Sequence, residues 1–171
     1  MIELTDKVIT IQPFSVENAE DHLKGEDDEQ IKWLSGGKST LESIKSWISK
    51  NQKHWEIGGP IFNFAVFDHD SKLVGMVEAN TDFKKVEGIE KGDANISYGL
   101  YPKERGKGYA SRAVNLIIIF LKERGFKRAV IRINPKNIFS LKVPKKCGFS
   151  KIGSVKTNKN EQLIIFVKYL H

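Results

Sequence analysis

Cysteine is almost missing from this chain of 171 residues, which holds only Cys147. A lone thiol cannot form an internal disulfide framework, so a packed core must carry the fold, and a reducing, cytoplasmic setting is expected. No charged-then-apolar leader opens the sequence. Long hydrophobic runs are lacking too: Leu116 to Leu121 is far shorter than the roughly 20 apolar residues that cross a bilayer, which argues against a membrane-spanning helix. The four histidines, His22, His54, His69 and His171, have no ligand-like spacing and read as surface residues, so no metal is expected. Repeats, low-complexity tracts and linkers are also missing. The length suits one domain, residues 1–171, able to bury its own core.

Basic residues are in excess. The formal net charge of +7 points to an anionic partner. Lys45, Lys50, Lys53, Lys84, Lys85, Lys145, Lys146, Lys156 and Lys159 are scattered rather than interleaved with aromatics, so nucleic acid ranks low among such partners.

Hydrophobic periodicity divides the chain into alternating elements. Val8 to Phe14 reads as a strand, and Ser15 can cap a short helix ending at Gly25. In the next segment Ile31 and Leu34 read as the buried side before Gly36-Gly37. Ser39 with Glu42 has the spacing of a capping box, ahead of a helix whose face is Leu41, Ile44, Trp47 and Ile48 and which runs to about His54. Phe62 to Phe67 and Leu73 to Ala79 form a hairpin by spacing. Asn80 to Gly92 has the polar composition of a mobile loop. Asn95 to Tyr101 is the fourth strand, and Gly99 within it marks a bulge, a close approach or a tolerated strand-end glycine. A helix from Ala110 to Arg124, a strand from Ala129 to Ile133, a short helix from Phe139 to Cys147, and strands from Phe149 to Lys156 and Leu163 to Leu170 complete the order. That order predicts an α/β fold whose mixed sheet has helices on both faces.

Between the fourth strand and the following helix lies Arg105-Gly106-Lys107-Gly108-Tyr109-Ala110. Glycines allow a tight turn and close approach, and successive N–H groups at the positive end of a helix dipole favour bound anionic charge. Arg105 and Lys107 add formal charge. Taken alone, a strand-to-helix turn carries such residues for geometry and solubility about as often. It is followed, after another strand-like run, by Asn134-Pro135-Lys136-Asn137-Ile138-Phe139-Ser140 and then Lys146-Cys147-Gly148-Phe149.

With both segments in view, the chain resembles the GNAT superfamily of acyl-CoA-dependent N-acetyltransferases. The first segment is similar to its pyrophosphate loop, Arg/Gln-x-x-Gly-x-Gly/Ala. The second is similar to the block found in the RimJ/RimL-type branch. The resemblance implies a GNAT-like, mostly antiparallel central sheet of about seven strands. It also implies acetyl-CoA as co-substrate, contacted by Leu100, Tyr101, Arg105, Gly106, Lys107, Gly108, Tyr109, Ala110, Asn137 and Ser140. The fourth and fifth strands would splay apart to admit the pantetheine arm, with backbone groups near Gly99 to Tyr101 bonding it. The acceptor would be a primary amine, either a protein N-terminus or a small cationic molecule, and a homodimer is left open.

Catalysis in such a site needs alignment, removal of an amine proton, and protonation or stabilisation of the leaving thiolate. Ser140 matches a serine that would help the thiolate leave; a hydroxyl bonding backbone in a first helical turn is the plainer role. Asn137 likewise fits an ordinary N-cap. Two positions depart from the family pattern. Pro144 stands where many members carry an acidic tyrosine, and should kink its helix by removing the bond to the Ser140 carbonyl. Asn95 stands where relatives commonly have a basic glutamate, which leaves Glu78 and Asp93 as substitutes or as simple surface acids. The stretch Glu26-Asp27-Asp28-Glu29 would attract an ammonium group if it lines the acceptor pocket, or is a solvated loop. The missing tyrosine also keeps open a different class of function, a non-catalytic acyl-CoA sensor or interaction module.

Overall fold

Alternation of buried and polar residues organises the centre of the molecule. The computed structural model describes all 171 residues. In Ile61–Asp68 (β3), Phe62, Phe64 and Val66 project to one face of the sheet, while Asn63 and Ala65 project to the other. Leu73–Asn80 (β4) returns antiparallel, with Phe64 opposite Val77 and Asn63 opposite Glu78. Asp93–Leu100 (β5) continues the register and sets Glu78 opposite Ser97.

The full sheet adds Leu4–Thr5 (β1), Ile9–Pro13 (β2), Arg128–Ile133 (β6), Ser150–Lys156 (β7) and Gln162–Tyr169 (β8). Its eight strands run in the order β1-β2-β3-β4-β5-β6-β8-β7. Every neighbouring pair is antiparallel except β5 with β6. The expected α/β, mostly antiparallel architecture is therefore borne out, with one strand more than anticipated. The addition is β1, a two-residue strand held by the Asp6 turn, whose carboxylate accepts from the N–H groups of Val8 and Ile9. Two residues are too few to show a period of two.

Helices cover both faces. Ala19–Gly25 (α1), Asp28–Gln30 (α2, passing into a π-turn at Ile31–Ser35) and Leu41–Ile57 (α3) precede β3; Tyr109–Glu123 (α4) and Lys142–Lys146 (α5) come later. Ala113, Val114, Ile117, Phe120 and Leu121 of α4 pack on Ile11, Phe64, Val77 and Ile96. On the opposite face, Ile44 and Ile48 of α3 join Phe14, Ala65 and Tyr101 in a second, smaller core.

Several local expectations are corrected. Thr40, not Ser39, caps α3: its hydroxyl accepts from the Ser43 N–H while the Ser43 hydroxyl accepts from the Thr40 N–H. Ser39 instead binds Glu26. Leu34 is exposed rather than buried, because the π-turn rotates it off the face the helical period assigned. The segment 80–92 is pinned, with Val86 and Ile89 buried against Val130, Ile165 and Val167. His22 is not a surface residue: its Nδ1 lies 2.7 Å from the Tyr101 hydroxyl and its ring stacks on Trp47, and burial pushes its pKa down to about 4.

Phe64 is fully buried between Trp55 and Phe120 at the centre of the larger core. Phe64→Ala should lower unfolding stability by about 3–5 kcal/mol, read from a urea denaturation midpoint with an unchanged m-value.

Candidate active site

Two strands that start as neighbours part company at one end of the sheet. β5 pairs with β6 only at Asp93 with Arg128, Ala94 with Ala129 and Asn95 with Val130. Beyond that point β6 stays paired with β8, and β5 stays paired with β4. The Tyr101 N–H donates to the Val74 carbonyl on the β4 side. Backbone direction alternates along a strand, so the N–H groups of Leu100 and Tyr98 point to the side β6 has left. Tyr101 is thus committed to the sheet and, through its hydroxyl, to His22, whereas Leu100 presents its N–H at the opening. The Leu100 carbonyl accepts from Arg105 Nε at 3.1 Å.

The loop after β5 faces open space. Gly106 and Gly108 have φ of 79° and 80°, and a Cβ on either would meet nothing within 4 Å. Positive φ favours glycine at both positions. None of the backbone N–H groups from Gly106 to Ser111 finds an acceptor within the chain, and the 15-residue helix α4 begins at Tyr109 with its dipole's positive end directed here. The two cations of the loop are already engaged. Arg105 grips Asp27 with both terminal nitrogens at 2.7 and 2.8 Å, which holds the Asp27 carboxyl below its usual range. Lys107 donates to Glu104, a carboxylate only 2 % exposed that also binds Lys72.

Across the opening, the Tyr98 side chain reaches Ser140. Its hydroxyl donates to the Ser140 carbonyl at 3.1 Å and accepts from Ser140 Oγ at 3.2 Å. Burial pushes the Tyr98 phenol up to about 12, so it keeps its proton at neutral pH. Asn137 Oδ1 accepts from the Ser140 N–H at 3.4 Å. Pro144 does not kink a longer helix: α5 begins only at Lys142, so the proline lies in its first turn, where an N–H would have no helical partner. The Ser140 carbonyl is taken by the Val143 N–H and by Tyr98. Tyr98 escaped sequence reasoning, since the core-facing period of β5 accounts for an aromatic there without any polar role.

The two acids proposed as bases are separated. Glu78 projects from the middle of β4, opposite Ser97 and beside Asn63, on the face away from α4. Burial raises its pKa to about 7. Asp93 is a structural anchor instead: both its oxygens bind Arg128, at 2.8 and 2.6 Å, and it also accepts from the Glu90 N–H. It sits at the far end of β5, about 23 Å of strand from Leu100. Asn95 accepts from Arg132 Nε at 3.1 Å. The acids from Glu26 to Glu29 are largely spent inside the fold, on Ser39, Arg105 and Trp33, leaving Asp28 exposed without a partner.

The acetyltransferase (GNAT) domain family matches residues 9–150. This chain belongs to that family. A probable N-acetyltransferase from Bacillus subtilis, YjcK, is 28% identical over 163 residues, covering 91% of this chain and 87% of the relative. The fold is shared with a GNAT acetyltransferase of Bacillus anthracis, at a TM-score of 0.81, 22% identity and 99% coverage of each chain. It is shared as well with a ribosomal-protein-S5-alanine acetyltransferase of Vibrio fischeri, at a TM-score of 0.80 and 21% identity, covering 99% of this chain and 97% of the other. As a GNAT acetyltransferase the protein uses acetyl-CoA, and an enzyme supersedes the sensor reading.

The GNAT acetyltransferase carries in Glu78 a carboxyl group that prefers its proton when folded. A raised folded-state pKa gives stability below the unfolded value and loses it as pH rises through the folded one. Relative to Glu78→Gln, which cannot ionise, the wild-type melting temperature should therefore fall between about pH 5 and pH 8. Parallel melting curves of the two proteins would reverse this conclusion about Glu78 if their difference stayed constant.

Proposed function

We propose that this GNAT domain transfers the acetyl group of acetyl-CoA to a primary amine, a protein N-terminus or a small molecule, within a ternary complex. The observation that carries the assignment of residues is the run of partnerless N–H groups from Gly106 to Ser111, set at the start of α4 beside the free edge of β5. The residues fit the cofactor: main-chain donors suit a pyrophosphate, and glycines with open space above them admit it closely. Gly106, Lys107, Gly108, Tyr109 and Ala110 would hold the phosphates. Arg105 acts by fixing the loop to Asp27, and the Leu100 and Tyr98 N–H groups would meet the acyl end.

Acetyl-CoA supplies an activated thioester when bound. Glu78 takes the proton that an ammonium must lose before its nitrogen can attack, and a pKa of about 7 suits a base working near neutrality. A strand N–H aimed at a carbonyl oxygen stabilises the negative charge that gathers there. With the thioester bound, the Ser140 hydroxyl would turn its one proton from the Tyr98 oxygen to a hydrogen bond with the leaving sulfur. Tyr98 holds Ser140 in place by donating to its carbonyl, in a site where Pro144 stands in place of an acidic tyrosine. Asn137 holds the Ser140 backbone.

Calorimetry should show acetyl-CoA binding to the wild type and a loss of roughly 100-fold or more in Gly108→Glu, which blocks the amide cradle. Arg105→Ala and Asp27→Ala should each weaken binding by a similar, smaller factor. In thiol-release assays with an amine panel, Glu78→Gln should lower kcat by about 100-fold and abolish the limb of the pH profile near pH 7, with acetyl-CoA affinity intact. Unimpaired binding by Gly108→Glu would refute the phosphate-loop assignment.

A further inference from the structure

A second polar space lies on the face of the sheet that carries Glu78. Asn80 lies two residues beyond Glu78 on the same side of β4, and pairs with Ile61. There a cavity of about 270 Å³ is lined by Lys50 and His54 from α3, by Asn80, and by Asp82 and Lys85 from the loop after β4, over a floor of Pro60 and Ile61. Lys50 has no acidic partner in the chain. Asp82 is the one acid of the lining, and it is in use: one oxygen accepts from the Lys84 N–H and the other lies 3.7 Å from Lys85 Nζ. The cavity wall is therefore net positive.

His54 meets the same cavity with one ring edge only. Its Nδ1 is buried without a hydrogen-bond partner, so the ring meets the cavity through its other edge. By contrast, the acids of residues 26–29, which would have drawn a cationic acceptor, are mostly occupied by Ser39, Arg105 and Trp33.

We infer that the cavity between α3 and the loop after β4 receives an oxyanion group of the acceptor, a carboxylate or phosphate, held by Lys50, Lys85, Asn80 and His54. The acceptor amine then lies at Glu78, and two residues of strand set the separation between amine and anion at about 7 Å or more. This rests on the proposed acetyl transfer and narrows its acceptor class to amines that carry a negative charge at their other end.

The test uses ω-amino carboxylates of increasing chain length, the matching aminoalkyl phosphates, and the uncharged methyl esters of the carboxylates. Each is titrated calorimetrically into the protein with CoA present, and thiol release from acetyl-CoA is followed in parallel. At the best chain length an anionic amine should bind about tenfold more tightly than its ester, and Lys50→Ala combined with Lys85→Ala should erase that difference. The carboxylate and phosphate series tell the two anions apart. Lys85→Ala alone, at an exposed loop side chain, replaces the double variant if the latter gives no cooperative melting curve. Equal binding of anion and ester, a preference that survives the lysine substitutions, or no measurable binding of any anion overturns the inference. Thiol release without an anion preference would sink it and spare acetyl transfer. An anion preference in binding without thiol release from any amine would keep the cavity and sink the transfer reading.

Discussion

β5 pairs with β4 from Asn95 to Leu100 but with β6 only from Asp93 to Asn95, and the candidate site is organised around that divergence. The strands are pinned where they still touch: Asp93 and Arg128 face each other in register and share two hydrogen bonds inside the protein. A buried ion pair of this kind is weak evidence for net stability, yet it fixes position, because leaving either charge unpaired would be costly. From that hinge point β6 follows β8 and β5 follows β4. The backbone donors at the end of β5, the hydroxyls of Tyr98 and Ser140, and the start of α4 all take their places from the gap so made.

Electrostatics around the gap are arranged more by internal pairing than by surplus charge. The chain is strongly basic, but the two cations of the loop, Arg105 and Lys107, are matched by Asp27 and Glu104. Holding the loop's shape falls to those side chains, and presenting donors falls to the main chain. The Arg105–Asp27 pair also ties the loop to the start of α2, so the two segments are mechanically joined. Glu104, buried between Lys72 and Lys107, braces the same loop from beneath. Glu78 is treated in the opposite way: with no cation beside it, burial alone keeps its carboxyl largely protonated until near neutrality.

Much of this architecture could be read along the chain. Ile61–Asp68, Leu73–Asn80 and the α4 face repeat with periods that only a strand or a helix satisfies, and their boundaries fell within a residue or two of those expected. The glycine loop was legible because φ near 80° narrows the choice of residue so sharply. Weaker signals misled. Ser39 and Thr40 are equally good caps by type, and the choice between them was made by Glu26, thirteen residues earlier, which captured Ser39. Leu34 broke its helical period because the turn there is a π-turn. The segment 80–92 looked like a mobile polar loop because two buried side chains among thirteen residues leave no period to detect.

Sequence alone determined the elements and the loop, since local backbone preference and side-chain periodicity are properties of near neighbours. Tertiary structure alone decided which acid is free and which is spent. Glu78 and Asp93 are chemically similar carboxylates; one meets Arg128 across a strand pairing 35 residues away, and the other is buried with no cation beside it. The partnering of Tyr98 with Ser140, 42 residues apart, is of the same kind. Such contacts depend on where distant segments converge, and nothing in a local window of sequence encodes that distance.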